Sequence, residues 1–316
     1  MFLSILVPTY NRKDELSRNL DSILAQGYSW QNSSNQKRYG KFNELVEIIV
    51  QNNASTDGTK EMLDEMSHKI LSGGGANLKV FHNPSNFGLC QNMIEVLKNA
   101  TGKYVLYLTD DDYLLPQSLS KIIDFLQNNT YDFVRLNLIT FLEQSIQAYC
   151  NILFASYINT TNATQSQKVS IFCSTHILTG NIFRREKIDM EAMCAVKEWW
   201  FPHMSISGRM MDNFAYIPYV YIVHTWENKV YWGDENAHHK RDEYSNVTAG
   251  LYKTILGLEC VLGMDFIKEA ICWYNPHKKL YAFAYDILST KQKVALWRAN
   301  TKQALKTWLK KIVFFL

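Results

Sequence analysis

Cysteine pairs are missing from this chain. Its six cysteines, at positions 90, 150, 173, 194, 260 and 272, are scattered with no Cys-x-x-Cys spacing, which argues against a structural zinc site and a small disulfide framework. They read as buried or free thiols. One-sided charge is missing too: 33 basic residues face 30 acidic ones, for a formal net charge of +3. That balance gives no reason to expect nucleic acid as a partner. No uncharged apolar run approaches the roughly 20 residues needed to span a bilayer. The segment Met1–Pro8 is too short for a signal peptide, lacks a basic start and runs directly into a turn. The expectation is a cytoplasmic protein, in which the triplets Asn162-Ala-Thr164 and Asn246-Val-Thr248 are chance products of an Asn-rich composition.

What is present is enough apolar material, 47% of 316 residues, for one large core or a core with an appendage. The first third alternates strand-like and helix-like stretches. Leu3–Val7 is an apolar run closed by Pro8, and residues 13–26 carry Leu16, Leu20, Ile23 and Leu24 at helical spacing. Val46–Val50 reads as a second strand, and Asp57-Gly58 opens a helix through Met66. Leu78–Phe81 and Tyr104–Leu108 read as further strands, with a helix from about Leu89 to Ala100 between them. Pro116–Gln127 reads as a helix with proline at its first position, which makes Leu115 the cap. This alternation predicts an α/β fold, a parallel sheet flanked by helices whose ligands gather at the carboxyl ends of the strands. Residues 27–43 form a polar connection longer than such links usually are, a functional flap or, as we favour, a surface loop. Residues 131–190 read as mixed strands with a polar loop at Asn159–Gln167, and the pattern from about Asp242 onward is helical.

Asp110-Asp111-Asp112 follows the apolar strand Tyr104–Leu108 and Thr109. Adjacent carboxylates at a strand end repel one another unless a cation or donors offset them. In an extended backbone Asp110 and Asp112 would point the same way and suit Mg2+ or Mn2+, which also bind substrate phosphates. A solvated acidic turn is the alternative. Helix capping is not, because the acids lie upstream of the cap.

Four segments in order, SILVPTYNR, VEIIVQNNASTDGT, NPSNFGLCQN and GKYVLYLTDDDYLLP, resemble the inverting family 2 glycosyltransferases of the bacterial surface-glycan type. The resemblance is strong over residues 1–128, patchy over 170–228 and absent beyond. It implies a GT-A fold, a Rossmann-like, mostly parallel sheet with a nucleotide-sugar-binding half (1–128) and an acceptor half (129–228); the helical pattern farther on makes 229–316 a mainly helical extension. The resemblance places Pro8, Thr9 and Asn11 beside the base and ribose. The family usually has Asp where this chain has Asn52, and that Asp accepts the N–H of uracil; Asn52 can accept through oxygen and also donate. Asn86, Gly88 and Asn92 match the third motif, with Gln91 at its common basic position. Asp110 and Asp112 match the outer acids of a DxD motif. Asp112 is thereby the direct metal ligand, Asp110 lies nearer the ribose and the metal's water shell, and Asp111 occupies the variable middle.

Farther on, THILTGNIFRRE resembles a loop beside the acceptor and puts Gly180 there. In KEWWFPHMSISGR, Pro202 and His203 stand where relatives carry a Glu-Asp pair whose Asp is the general base. A neutral imidazole is a competent proton acceptor, so His203 is the candidate base, with a structural role and Glu198 or Asp212 as base the alternative. His224, near the end of NFAYIPYVYIVHTWEN, would complete the metal or diphosphate site. Trp199, Trp200, Trp226 and Trp232 are a weak acceptor signal, since indole faces stack on sugars but most are packing elements.

The implied reaction is inverting, metal-assisted transfer of a hexosyl or N-acetylhexosaminyl group from a nucleotide-sugar, UDP-sugar favoured, to a hydroxyl of a glycan or lipid-linked acceptor. A nucleotidyltransferase would carry a Gly-rich basic phosphate loop that VPTYNR does not provide. The other alternative is a non-catalytic nucleotide-sugar-binding or scaffold protein, kept open by Asn52 and His203. In the tail, Lys302, Lys306, Lys310 and Lys311 interleave with Leu305, Trp308, Leu309, Ile312 and Val313. A helix of this kind either lies on an anionic membrane, giving peripheral contact at the inner face of the cell membrane, or packs on the catalytic domain.

Overall fold

The computed structural model describes residues 1–31, 33–73, 76–142, 147–150, 153–225 and 250–274, with positions 290 and 294. Trp226, Trp232, the triplet at Asn246 and the basic tail lie outside the described residues. The chain divides into two compact units that interleave along the sequence: Met1–Asn162, Ile177–Asp189 and Asp212–Glu235 form the first, and Ala163–His176, Met190–Met211 and Asn236–Leu316 the second.

In the first unit the order is β1 (Leu3–Thr9), α1 (Lys13–Gln31), α2 (Ser34–Tyr39), α3 (Phe42–Leu45), β2 (Val46–Asn52), α4 (Thr59–Gly73), β3 (Asn77–His82), α5 (Leu89–Lys98) and β4 (Tyr104–Tyr107). There follow β5 (Tyr113–Leu114), α6 (Ser118–Asn128), β6 (Phe133–Leu142), β7 (Gln147–Cys150) and β8 (Ile158–Asn159), then β9 (Asn181–Arg184) and β10 (Phe214–Thr225). The sheet runs β3-β2-β1-β4-β9-β6-β10-β5, with β7 on β6 and β8 on β10. β3, β2, β1 and β4 are parallel, as the alternation predicts. β9 inserts antiparallel between β4 and β6, while β6 and β10 are again parallel. β1 and β2 are buried throughout, which explains their continuous apolar runs: strands covered on both faces do not alternate.

Two expectations fail locally. Residues 27–43 are not a surface loop. α1 continues to Gln31 because Gly27 and Trp30 extend the apolar stripe of Leu16, Leu20 and Ile23, and Trp30 is buried against Phe42 at 6.0 Å between ring centroids. Trp30 Nε1 also donates to the Gly40 carbonyl at 3.0 Å, and a Cβ on Gly27 would press on the Phe42 ring at 3.1 Å. The polar composition concealed a helix held by one buried indole. Leu115 is likewise not a helix cap. Its N–H pairs with the Tyr221 carbonyl at 2.9 Å, so the chain stays tied to β10 until Gln117 turns in the left-handed region and α6 starts at Ser118.

The second unit contains α7 (Gln165–Ser174), α8 (Met190–Ala195) and α9 (Pro202–Arg209), helical residues 250–257, and the helices Glu259–Leu262 and Met264–Tyr274. α7 begins inside the expected loop at Asn159–Gln167. Thr164 Oγ1 accepts the Gln167 N–H while the Gln167 side chain accepts the Thr164 N–H. That reciprocal cap is written in the sequence as Thr-x-x-Gln. Phe172 of α7 meets Phe266 of the helix Met264–Tyr274 edge-on at 5.6 Å, among the buried Ile267, Ala270 and Ile271. No described helix is long and apolar enough to cross a membrane.

Candidate active site

The acidic triplet sits where β4 leaves the sheet. Leu108 still bonds to β1 through its N–H and the Leu6 carbonyl at 3.0 Å, and then Asp112 N–H closes a turn onto the Thr109 carbonyl at 3.0 Å. The backbone is therefore not extended here, and Asp110 and Asp112 do not share one face. Asp112 turns inward and is fully buried. Its Oδ1 accepts the Thr225 N–H at 2.8 Å, its Oδ2 accepts Thr109 Oγ1 at 2.6 Å, and His224 Nδ1 lies 3.0 and 3.1 Å from the two oxygens.

Asp110 and Asp111 instead meet Arg12, which reaches over from the start of α1. Its Nη1 lies 3.4 Å from Asp110 Oδ1 and also bonds Asp111 Oδ2. Burial pushes the Asp110 carboxyl up to about 7, with Asp111 and Asp112 adding to the shift and Arg12 opposing it. Asp111 is raised for the same reasons, burial first and the Asp112 charge next. Burial acts to lower His224, but the charge and hydrogen bond of Asp112 outweigh it and hold the imidazole above its ordinary value. The loop thus stores negative charge that the protein only partly offsets. The sequence alone assigns Arg12 no role. Its one signal was a lone cation in the motif at the end of β1, the strand beside the acidic loop.

The neighbouring strand ends are tied into the same rim. Thr9 is paired with Asn52, and Asn53 N–H donates to the Thr9 carbonyl at 2.9 Å. Pro8, inside β1, pairs in register with Gln51. Asn11 takes a positive φ of 51°, which asparagine tolerates better than most residues. Its N–H donates to Ser55 Oγ at 2.9 Å and its Oδ1 accepts the Thr56 N–H at 2.7 Å, joining the β1 and β2 loops.

A buried amide network then shapes the loop after β3. Asn83 Nδ2 donates to Asn53 Oδ1 at 2.8 Å and to Asn92 Oδ1 at 2.9 Å, and Gln51 Nε2 donates to Asn83 Oδ1 at 2.7 Å. Asn53 Nδ2 reaches Asn86 Oδ1 at 2.7 Å, and Asn86 Oδ1 accepts the Gly88 N–H at 2.8 Å. Asn92 therefore points into the protein and braces the loop. Gly88, at the start of α5, has φ 79° with nothing within 4 Å of a built Cβ, so its backbone conformation, not crowding, selects glycine.

On the other flank, Thr179 Oγ1 accepts the Thr109 N–H at 2.9 Å and lies 2.7 Å from Thr109 Oγ1. Gly180, at φ 82°, donates its N–H to the Tyr107 carbonyl at 3.1 Å and accepts from Leu136 at 2.9 Å. The segment that carries Gly180 thus buttresses the acidic loop from beneath. Asp212 and Glu198 are exposed. In the second unit, His203 is buried near the start of α9, its Nε2 3.3 Å from the His176 carbonyl. Trp199 there packs on glycines: a Cβ at Gly257 would lie 3.2 Å from its ring, and one at Gly250 would collide with its carbonyl oxygen at 2.3 Å.

Among the described residues no three His, Cys, Asp or Glu side chains gather into a metal cage. The acids do fit a different kind of site. A hard divalent cation is commonly held by one or two carboxylates with substrate phosphates completing its shell, and buried Asp110 and half-buried Asp111 are adjacent and under-neutralised. His224 with Asp112 fits the pattern in which a ligating imidazole is oriented through its other nitrogen by a carboxylate.

Comparisons with known proteins bear on the family and the fold. The chain is 33% identical over 130 residues to the abequosyltransferase RfbV of Salmonella typhimurium, covering 40% of this chain and 33% of that protein. It is 27% identical over 158 residues to the glycosyltransferase GlyA of Streptococcus pneumoniae, covering 49% and 19%. The match thus spans a third or less of either relative's own length. Among solved structures, TarS 1–349 of S. aureus in complex with UDP-GlcNAc superposes with a TM-score of 0.63 at 16% identity, over 95% of this chain and 79% of that one. The mannosyltransferase PcManGT of Pyrobaculum calidifontis, in complex with GDP-Man and Mn2+, gives 0.54 at 17% identity, over 97% and 82%. These likenesses establish the GT-A fold that the four motifs implied. A family model described as "Glycosyl transferase family 2" matches residues 4–188, more than half of the chain, and with the strand-end acids and the motif loops in their family order this chain belongs to that family.

Proposed function

We propose that the protein transfers a sugar from a nucleotide-sugar donor to a hydroxyl acceptor, with inversion at the anomeric carbon. The observation that carries this is the adjacent, under-neutralised pair of buried Asp110 and half-buried Asp111 just past the end of β4, with Arg12 from the loop after β1 against both. Such a pair is costly to the empty protein and becomes favourable when a cation and a diphosphate arrive together. The two structural neighbours, one in complex with UDP-GlcNAc and the other with GDP-Man and Mn2+, support a donor of that class and a divalent metal.

In this reading Asp110 and Asp111 hold Mn2+ or Mg2+, His224 completes the site, and Asp112 positions His224 instead of binding the metal itself, because its oxygens are engaged by Thr225, Thr109 and His224. When bound, the cation neutralises charge growing on the departing diphosphate. Arg12 is then released from part of its pairing and available to the phosphates, a fork-shaped donor suited to them. Pro8, Thr9, Asn11, Asn52, Asn86 and Gly88 line the donor's path, and Asn92 shapes it from behind. For the proton acceptor we assign His203. A neutral imidazole is a competent proton acceptor, and inversion needs only such a base and no covalent intermediate. A glycan or lipid-linked acceptor and a cytoplasmic setting belong to the same proposal.

The test is donor hydrolysis and transfer with a panel of nucleotide-sugars in Mn2+. Turnover that is abolished by EDTA and by Asp111→Ala supports the reading, and His203→Ala should remove transfer while leaving donor affinity within about threefold. Donor binding with no turnover in any combination would leave a nucleotide-sugar-binding protein without catalysis.

A further inference from the structure

The inner face of α1 carries two stripes. One is apolar and joins the core through Leu16, Leu20, Ile23 and Trp30. The other is polar: Asn19, Ser22 and Gln26 fall at i, i+3 and i+7, on one side of the helix. All three bond the chain that follows β4. Ser22 Oγ accepts the Leu114 N–H at 3.1 Å, and Gln26 Nε2 donates to the Leu115 carbonyl at 3.1 Å. Asn19 meets the acidic loop itself. Its Nδ2 donates to the Thr109 carbonyl at 2.9 Å and to the Asp112 carbonyl at 2.6 Å.

Those two carbonyls are the ends of one turn. Asp112 N–H closes it onto Thr109 at 3.0 Å, and Asp110 and Asp111 are its two central residues. One amide nitrogen therefore bridges the first and last residues of the turn that presents both acids. Thr179 and Thr225 also hold the turn, but at one point each, the Thr109 N–H and the Asp111 carbonyl. Carbonyl oxygens only accept, so the nitrogen of Asn19 and not its oxygen must face them. The rest of the amide is poorly placed. Asn19 is 1% exposed, and its Oδ1 is buried with no hydrogen-bond partner among the described residues. An unpaired amide oxygen in the interior is costly, and an apolar side chain like Leu16 or Leu20 would avoid that cost. What offsets it is the grip on the turn.

We infer that Asn19 is a positioning residue for the reacting centre. It sets the spacing of the Thr109–Asp112 turn, and through it the placing of Asp110 and Asp111 toward a cation and a diphosphate. The inference rests on the reading of those acids given above and adds to it a residue that touches neither cation nor substrate. A turn gripped at one end splays more readily, and its two central carboxylates move with it.

The test compares two buried amides on one helix. Asn19→Leu and Gln26→Leu each delete an amide that bonds this segment, but Gln26 bonds it beyond the turn. The full chain is titrated by calorimetry with Mn2+ and inorganic pyrophosphate, a diphosphate that commits to no base or sugar, and is unfolded in denaturant without either. Asn19→Leu should weaken binding by about 10- to 100-fold, as loss of a group that orients metal ligands does, while Gln26→Leu stays within about threefold of wild type even where its stability falls as far. Asn19→Ser, which keeps one donor, should recover part of the affinity. Wild-type affinity in Asn19→Leu would overturn the inference and leave the nucleotide-sugar reading standing. Equal losses in both leucine variants would overturn it too, because affinity would then follow stability and not the turn. If Asn19→Leu does not fold, Asn19→Ser replaces it: weakened binding supports the inference, and unchanged binding or failure to fold overturns it. Absence of binding by the wild type would overturn the reading of the acids itself.

Discussion

Two buried carboxylate sites lie at opposite ends of the same parallel strands, and they could hardly be treated more differently. Glu47, at the start of β2, is fully buried and surrounded by donors: Ser4 Oγ at 2.5 Å, Thr101 N–H at 2.7 Å, Gly102 N–H at 3.1 Å and Lys79 Nζ at 2.6 Å. Burial alone would raise its pKa, but these partners, Lys79 and Ser4 foremost, hold it down at about 2. Asp110, past the end of β4, is nearly as buried and is pushed the other way, up to about 7. Glu47 stitches β1, β2, β3 and the turn before β4 into one block, and its charge is satisfied by the protein. The acidic loop is left in want of positive charge. A buried anion with a full complement of donors is a structural part, whereas perturbed carboxylates that lack them are the kind of group that clusters at functional sites.

That contrast can be broken by experiment. The largest effect is expected from Asp111→Asn. Removing a charge-stabilising group from the reacting centre should lower turnover by about 10²–10³-fold or more, yet the free protein should melt at the same temperature or higher, because a repelling charge has gone. A lower melting temperature, measured by calorimetry without metal, would mean that the acidic loop is structural after all.

Glu47→Gln should do the opposite. It breaks a buried ion pair and leaves several donors poorly matched, for a loss of about 3 kcal/mol in chemical denaturation, with donor affinity unchanged in whatever protein remains folded. The pH dependence follows the same residue. Its carboxyl, ordinarily ionising near 4.5, does so at about 2 in the folded protein, so its stabilisation is complete above the higher value and is lost as pH falls through the lower one. Wild-type stability should decline across that window, and the glutamine variant should decline less. An identical acid profile in both proteins would remove Glu47 from the account.

The smallest change is Gly102→Ala. A Cβ there would lie 2.7 Å from both the nitrogen and the Oγ of Ser4, forcing the Glu47 block apart at a cost of about 2 kcal/mol. If the variant is as stable as wild type by denaturant unfolding, the block is looser than its hydrogen bonds indicate.

Much of this was legible in the residues themselves. The parallel strands β1 to β4 announced themselves because each is a short apolar run bounded by turn residues, a strictly local property. The motif loops were legible because asparagine, glycine and aspartate are demanded wherever a chain must turn and bond to its own backbone. The triplet was legible as a charge anomaly.

What the triplet's members do was not legible. The expectation that Asp110 and Asp112 share one face assumed an extended backbone, and a single turn hydrogen bond from Asp112 to Thr109 removes it. That turn sends Asp112 inward to His224, 112 positions along the chain, and leaves Asp110 and Asp111 to Arg12. Likewise the buried network of Asn53, Asn83, Asn92 and Gln51 spans β2, β3 and α5, and no local rule distinguishes such amides from ordinary turn residues.

By itself, then, the sequence determined the family, the order of strands and helices in the first third, and the strand ends where chemistry gathers, since these follow from local periodicity and from residue types that turns require. Tertiary structure alone decided the arrangement within the site: which acid is sealed, which acids meet Arg12, and which way the Asn52 amide faces. Those depend on the direction of single side chains relative to partners brought in from distant strands, and direction in space is not a property that residue order carries.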